Sequence, residues 1–282
     1  MSATNLHVYN RPDVAAHYAA LAYLTPCERR LFETYVPPGT AVLDLGVGGG
    51  RTTAYLSARA SRYVGVDYAP EMVNLCRRRF PTLDFVIADA TDLSMFADES
   101  FEAIVFSFNG LDYLWPEQRR DQCIRECYRL LQENGILIFS SHNPRAIAVR
   151  PAWEQERVRA FASRLVGGRR LLLLPTLIVI TLAKALLTSL QASCTTIVRT
   201  LSRLPRRVFW SGKGYLVDRA HRGLITYHSV PSRVLSDLSN FGFESLQVLG
   251  DDYPRRSSLW LTDWYYYVFK KRICSAEDQS CA

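Results

Sequence analysis

No apolar run follows Met1, so the chain opens without the hydrophobic stretch of a secretory signal, and a cytoplasmic protein is expected. Its cysteines do not form a framework either. Cys27, Cys76, Cys123, Cys127, Cys194, Cys274 and Cys281 are odd in number and scattered, which points to reduced thiols. Cys123 and Cys127 stand at helical i, i+4 spacing, but no second Cys or His pair completes a zinc set, so no metal is expected. A G-x-x-x-x-G-K-[ST] run is absent, which removes a phosphate-cradling P-loop. Internal repeats and low-complexity linkers are also missing. What is there suits one globular unit with an embellishment: 282 residues, 48% of them hydrophobic, ample for a core.

The most informative run is Val42-Leu43-Asp44-Leu45-Gly46-Val47-Gly48-Gly49-Gly50-Arg51-Thr52. Apolar and β-branched positions lead into a glycine-rich turn, and a helical pattern follows from Arg51 to Ala60. A buried strand feeding a tight loop and a helix N-terminus brings backbone N–H groups close to a ligand. Asp67 closes the next apolar strand, Tyr63 to Val66, 23 residues after Asp44. That is near the ~20-residue spacing at which a carboxylate accepts from ribose hydroxyls. An adenosine-containing ligand is the expectation. A dinucleotide fingerprint would put glycine where Arg51 stands, and Asp44 before the first glycine suits a cationic ligand better than a pyrophosphate.

Elements alternate along the chain. Thr25-Pro26-Cys27-Glu28 reads as a capping box with Pro at the first helical position, opening a helix that ends before Pro37. Strands are expected at about 41–45, 62–66, 83–87, 102–107 and 136–140, with helices near 50–59, 70–79 and 117–132 between them. After an insertion come a helix at 231–240, a strand at 243–249 and a last strand from Leu259 to Phe269. The order predicts an α/β fold, doubly wound around a mainly parallel sheet, with ligands at the carboxyl ends of its strands. The expected divisions are 1–40, an N-terminal helical segment; 41–144, the cofactor-binding core; 145–213, a helical lid insertion; 214–272, the rest of the core; and 273–282, a polar tail.

Asp44-x-Gly46-x-Gly48-x-Gly50 followed by Asp67 resembles the first two motifs of the class I S-adenosylmethionine-dependent methyltransferases. The resemblance continues through Ile87-Ala88-Asp89-Ala90, the segment from Phe101 to Tyr113 and the strand from Gly135 to Ser141. It implies a seven-stranded Rossmann-like sheet and S-adenosylmethionine as the cofactor. Gly46, Gly48 and Gly50 would then let backbone approach the cofactor, and Asp44 would anchor the loop or meet the cofactor's amino group. Asp67 would take the ribose hydroxyls, with Tyr68 and Met72 on the adenine. Asp89 would accept from the adenine amino group, Ala90 donate from its backbone, and Ser107, Phe108 and Asn109 line the methyl-donor side. Tyr9 and Tyr18 either close over the cofactor or are ordinary helix aromatics. Phe108-Asn109-Gly110-Leu111 lacks the prolines of the [DN]-P-P-[FY] motif that stacks a flipped base, which argues against nucleic-acid substrates. Ser140-Ser141-His142-Asn143, Gly214-Tyr215, Asp218-Arg219-Ala220-His221 and Tyr227-His228 resemble segments of a bacterial small-molecule methyltransferase group. His142, at a strand end, is the first candidate for a base; His221 and His228 are the alternatives.

The stretch from Arg145 to Lys213 holds eleven Arg and two Lys against Glu154 and Glu156, a net of +11 in a chain whose total is +7. At its centre, Leu171 to Leu187 is nearly apolar enough for a membrane span. Strands on both sides of the insertion belong to one sheet, however, so a single crossing would separate them, and Lys184 and Pro175 add cost. Two readings stand: a lid over the active-site mouth, or a lid that also dips into an anionic membrane surface. A phosphate-binding surface for nucleic acid is a weaker third. The acceptor expected is a small or amphipathic molecule.

Overall fold

The computed structural model describes residues 9–11, 14, 18, 23–149, 172, 175–176, 178–180, 182–183, 208–218, 224–259 and 262–272. Helix α1 (Pro26–Tyr35) opens on the expected capping box: Thr25 Oγ1 accepts from the Glu28 amide at 3.1 Å, and the Glu28 carboxylate accepts from the Thr25 amide at 2.9 Å. There follow β1 (Ala41–Leu45), α2 (Thr53–Ser57), β2 (Arg62–Asp67), α3 (Pro70–Arg79), β3 (Asp84–Ile87), β4 (Phe101–Phe106), a 3₁₀ turn (Gly110–Tyr113), α4 (Glu117–Leu130) and β5 (Leu131–His142). Short helices α5 (Pro144–Val149) and α6 (Val208–Ser211) lead into β6 (Lys213–Asp218) and β7 (Leu224–Ser229). Helix α7 (Pro231–Asn240), β8 (Phe243–Gly250) and β9 (Trp264–Lys271) complete the described chain.

These strands form one sheet in the order β3-β2-β1-β4-β5-β7-β6, with β9 also pairing antiparallel to β5 and carrying β8. The first five strands run parallel, so the carboxyl ends of β1, β2 and β4 share one edge. Alternate residues of the buried strands feed two cores. Leu43, Ile104 and Phe139 pack with Ile124 and Cys127 of α4 and Val234 and Leu238 of α7. Val42, Ala103 and Ile138 pack with Leu31 and Phe32 of α1 and with Val73 and Cys76 of α3. Strands buried on both faces are largely apolar, and β1 and β4 read so, interrupted by the buried Asp44 in one and the exposed Glu102 in the other.

The doubly wound, mainly parallel architecture is as expected, but nine strands stand among the described residues where seven were anticipated. The added pair is the β6–β7 hairpin, with Tyr215 opposite Tyr227. Leu224-Ile225-Thr226-Tyr227 has the β-branched and aromatic content of a strand. The last strand begins at Trp264 rather than Leu259, because Ser258 and Thr262 bond each other just ahead of it: the Thr262 amide donates to Ser258 O at 2.9 Å and the Ser258 amide to Thr262 Oγ1 at 2.8 Å. Most of 145–213 lies outside the described residues, as do Arg169, Arg170, Arg206, Arg207, His221 and the 273–282 tail. Within that insertion Leu172, Val179 and Leu182 are helical and exposed. Among the described residues no helix is long and apolar enough to cross a membrane.

Candidate functional site

The carboxyl ends of β1, β2 and β4 border a cleft of about 930 Å³, open solvent at its mouth included. Its floor is the loop after β1. Gly46 and Gly48 have φ of +60° and +53°, the left-handed region that favours glycine. A Cβ on Gly46 would also lie 2.6 Å from the Phe106 ring. Gly50 (φ +80°) serves the loop instead of the cleft: its Cβ would strike Phe80 and Cys76 Sγ, so it lets the loop settle on α3.

Two buried acids hold this loop. Asp44 is 1% exposed, and its Oδ2 accepts from Thr52 Oγ1 at 2.7 Å and from Tyr63 OH at 2.8 Å. It therefore anchors the start of α2. Asp67 is 7% exposed and faces the cleft from the end of β2. Its Oδ2 accepts from the Gly48 amide and its Oδ1 from the Ala69 amide, both at 2.9 Å. A carboxylate has about four lone-pair sites, so capacity remains for a ligand hydroxyl. Burial raises both acids to about 6 against the pull of these donors.

Arg51 ties the loop to α1. Its guanidinium lines the cleft, lies 4.4 Å from the centre of the Phe108 ring and makes a two-pronged ion pair with Glu28, with Nη1 to Oε2 at 2.7 Å. Glu28 thus caps α1 and fixes the glycine loop with the same carboxylate.

The upper wall is aromatic. Tyr9 packs with Tyr18, Tyr68 and Tyr113 at ring-centre distances of 6.0, 6.2 and 5.7 Å, and all four line the cleft with Phe106 and Phe108. Met72, Ala88 and Ala90 supply apolar surface beside Tyr68. Tyr68 OH and Ser107 Oγ belong to cleft-lining residues and are buried with no protein partner. Buried polar atoms are rarely left so, and the pair signals a polar ligand. A nucleoside with a diol, a flat base and a charged tail fits this set: an acidic acceptor, apolar walls and a glycine cradle. S-adenosylmethionine has those parts.

Sequence reasoning placed Asp44, Gly46, Gly48, Asp67, Tyr68, Met72, Ala90, Ser107, Phe108, Tyr9 and Tyr18, and the structure brings all eleven to the cleft. Asp89 is not among its lining residues. Its carboxylate takes the Thr91 amide and hydroxyl at 3.0 and 2.8 Å and pairs with Arg119. Burial raises it, but these donors outweigh burial and hold it below the usual carboxylate range. Arg51, Tyr113 and Phe106 were missed as lining residues. Arg51 was visible as the residue that breaks the dinucleotide fingerprint.

His142 sits beside the cleft, behind Tyr113, whose ring centre is 6.4 Å away. Its Nδ1 is 2.8 Å from Asp112 Oδ2 and its Nε2 is 3.1 Å from Asn109 Nδ2. Asn109 is turned from the cleft toward this imidazole. His228 lies against His142, ring centres 4.9 Å apart and planes tilted by 37°, and bonds Thr226 Oγ1 through Nε2 at 2.9 Å. Burial, then the neighbouring His142, pushes it well below the ordinary histidine value, so it is a neutral backing group.

Residues 42–135 match a family described as "Methyltransferase domain". Over 138 residues the chain is 35% identical to a malonyl-[acyl-carrier protein] O-methyltransferase of Methylococcus capsulatus, covering 45% of this chain and 48% of that one. It is 34% identical over 121 residues to a fatty-acid O-methyltransferase of Mycolicibacterium smegmatis, covering 42% of each. The chain thus spans about half the length of the curated relatives it matches. Its fold superposes on a 1,6-didemethyltoxoflavin-N1-methyltransferase of Burkholderia thailandensis solved with S-adenosylhomocysteine: TM-score 0.56, 14% identity, 97% of this chain and 92% of that one.

Proposed function

We propose that this chain, whose residues 42–135 match a methyltransferase domain, is a class I enzyme that transfers a methyl group from S-adenosylmethionine to an oxygen or nitrogen of a small acceptor. The observation that carries this reading is Asp67, a carboxylate fixed by the Gly48 and Ala69 amides that lines the cleft at the end of β2. Asp67 takes the ribose hydroxyls, Tyr68, Met72, Ala88 and Ala90 sandwich the adenine, and Ser107 and Phe108 border the reacting end. When bound, the cofactor supplies an electrophilic methyl group on sulfur. The protein's part is to aim the acceptor at that carbon, exclude water and accept a proton where the acceptor has one to lose. Tyr9, Tyr18 and Tyr113 exclude water from above, and His142 is the candidate base. The test is mass spectrometry of lysate metabolites incubated with the protein and methyl-labelled cofactor. A product heavier by one CH₂, formed with acceptor-dependent release of S-adenosylhomocysteine, supports the reading. Cofactor binding without any such release reassigns the chain as a binding protein.

A second reading, an amphipathic acceptor taken at an anionic membrane surface, has its own support. Leu172, Val179 and Leu182 are 47%, 64% and 65% exposed on helical positions inside the most basic part of the chain. One curated relative is a fatty-acid O-methyltransferase. Arginine near an anionic surface contributes on the order of 1 kcal/mol each, so binding to anionic vesicles should be salt-sensitive and weaken when Arg169, Arg170, Arg206 and Arg207 become Gln. Equal failure to sediment with anionic and neutral vesicles removes this reading and leaves a lid alone.

A further inference from the structure

We infer that Arg51 receives the carboxylate of the cofactor's amino-acid tail, and that the Arg51–Glu28 pair makes the cleft selective for the carboxylated cofactor. This rests on the methyltransferase reading above. S-adenosylmethionine carries a sulfonium, an ammonium and a carboxylate. Among the described residues that line the cleft, Asp44, Asp67 and Arg51 are the charged ones, so a carboxylate meets two acids and a single cation. The glycine loop offers it little else. The amides of Val47, Gly48 and Gly50 already donate to Val66 O, Asp67 Oδ2 and Val47 O at 3.0, 2.9 and 3.0 Å. The Thr52 hydroxyl is spent on Asp44.

Arg51 is held so as to present one edge of its guanidinium. The fully buried Glu28 carboxylate takes Nη1 and Nη2 side by side, and the Tyr23 carbonyl accepts from Nη1 at 2.9 Å. A guanidinium has five N–H groups. Among the described residues these bonds use three of them, leaving Nε–H and one Nη2–H, the side-on edge that can take a second carboxylate two-pronged. The Phe108 ring centre lies 4.4 Å from the guanidinium carbon and fixes its plane. Phe108 borders the reacting end in the proposed function, which puts Arg51 beside the cofactor's tail rather than its base. The Arg51 side chain is 9% exposed, so water screens a carboxylate docked there poorly. Glu28 spares Arg51 the cost of a lone buried charge and still leaves that donor edge open.

The test compares S-adenosylmethionine with its decarboxylated form, which keeps the nucleoside, the sulfonium and the ammonium and lacks only the carboxylate. In titration calorimetry wild type should bind the decarboxylated form roughly 10- to 100-fold more weakly. Affinities within about threefold of each other overturn the proposal alone, because S-adenosylmethionine still binds. A wild type that binds neither compound overturns the cofactor reading and the proposal with it. To assign the preference to Arg51, the pair is replaced together by Glu28→Gln and Arg51→Gln, which leaves no unpaired buried charge and keeps an acceptor for the α1 cap. The double variant should lose the preference: S-adenosylmethionine weakens toward the decarboxylated form, whose own affinity changes little. A merely structural Arg51 would weaken both ligands alike, and a ratio unchanged from wild type overturns the proposal.

Discussion

Replacing Asp67 with Ala tests the cofactor assignment at one side chain. The carboxylate holds the Gly48 and Ala69 amides at 2.9 Å each, and under the proposed function it takes the ribose diol. Hydrogen bonds to a charged group contribute about 1.5–3 kcal/mol, which at ~1.4 kcal/mol per tenfold is roughly a 10- to 100-fold loss of S-adenosylmethionine affinity. Loss of the two amide contacts also loosens the glycine loop, so the melting temperature should fall. To separate these effects, Tyr63→Phe serves as the comparison: it disturbs the loop through Asp44, and Tyr63 does not line the cleft. Titration calorimetry of wild type and both variants reads the difference. Affinity within twofold of wild type in Asp67→Ala, or an equal loss in both variants, would refute the argument that Asp67 meets the ligand.

The same carboxyl sets a pH dependence. Burial holds Asp67 at about 6 in the free protein, and only its ionised form accepts both hydroxyls, so cofactor affinity should fall as pH drops through about 6. The dependence should be lost in Asp67→Asn, and a flat wild-type profile from pH 5 to 7.5 would contradict it. Folding moves the other way: a carboxyl raised from ~3.9 in the unfolded chain stabilises fully below that value and loses its contribution as pH rises through about 6. Arg51→Gln leaves Glu28 buried without its partner, which should cost about 3–5 kcal/mol in urea unfolding; a loss under 1 kcal/mol would show that the pair does not lash α1 to the loop. Gly110→Ala puts a Cβ 2.1 Å from the Phe106 ring, which lines the cleft, so it should destabilise by about 1–3 kcal/mol and weaken cofactor binding together; unchanged melting would mean the ring moves freely.

Much of the cleft lining was legible because its residues are local in sequence. Asp44, Gly46, Gly48 and Asp67 lie at the ends of two adjacent parallel strands, and strand ends can be counted from apolar runs and glycines. Arg51 was legible only as a departure, since its partner Glu28 lies 23 residues away, on the helix before β1. Asp112 gave no signal: a lone acid in Leu111-Asp112-Tyr113 reads as an exposed turn residue until β5 brings Ser141 and His142 against it. Asp89 shows the reverse. Its position in the motif suggested a ligand contact, yet Arg119 of α4, a residue that no local pattern links to it, takes the carboxylate. The β6–β7 hairpin escaped for a related reason, because antiparallel pairing such as Tyr215 with Tyr227 depends on register and not on an apolar run.

The central claim is that the cleft built on Gly46, Gly48 and Asp67 is an S-adenosylmethionine site. Calorimetric titration of the wild-type protein with S-adenosylmethionine, S-adenosylhomocysteine and NAD tests it most directly. One saturable site for each of the first two, with no heat from NAD, is the predicted result. Tight NAD binding with none for S-adenosylmethionine would contradict the account.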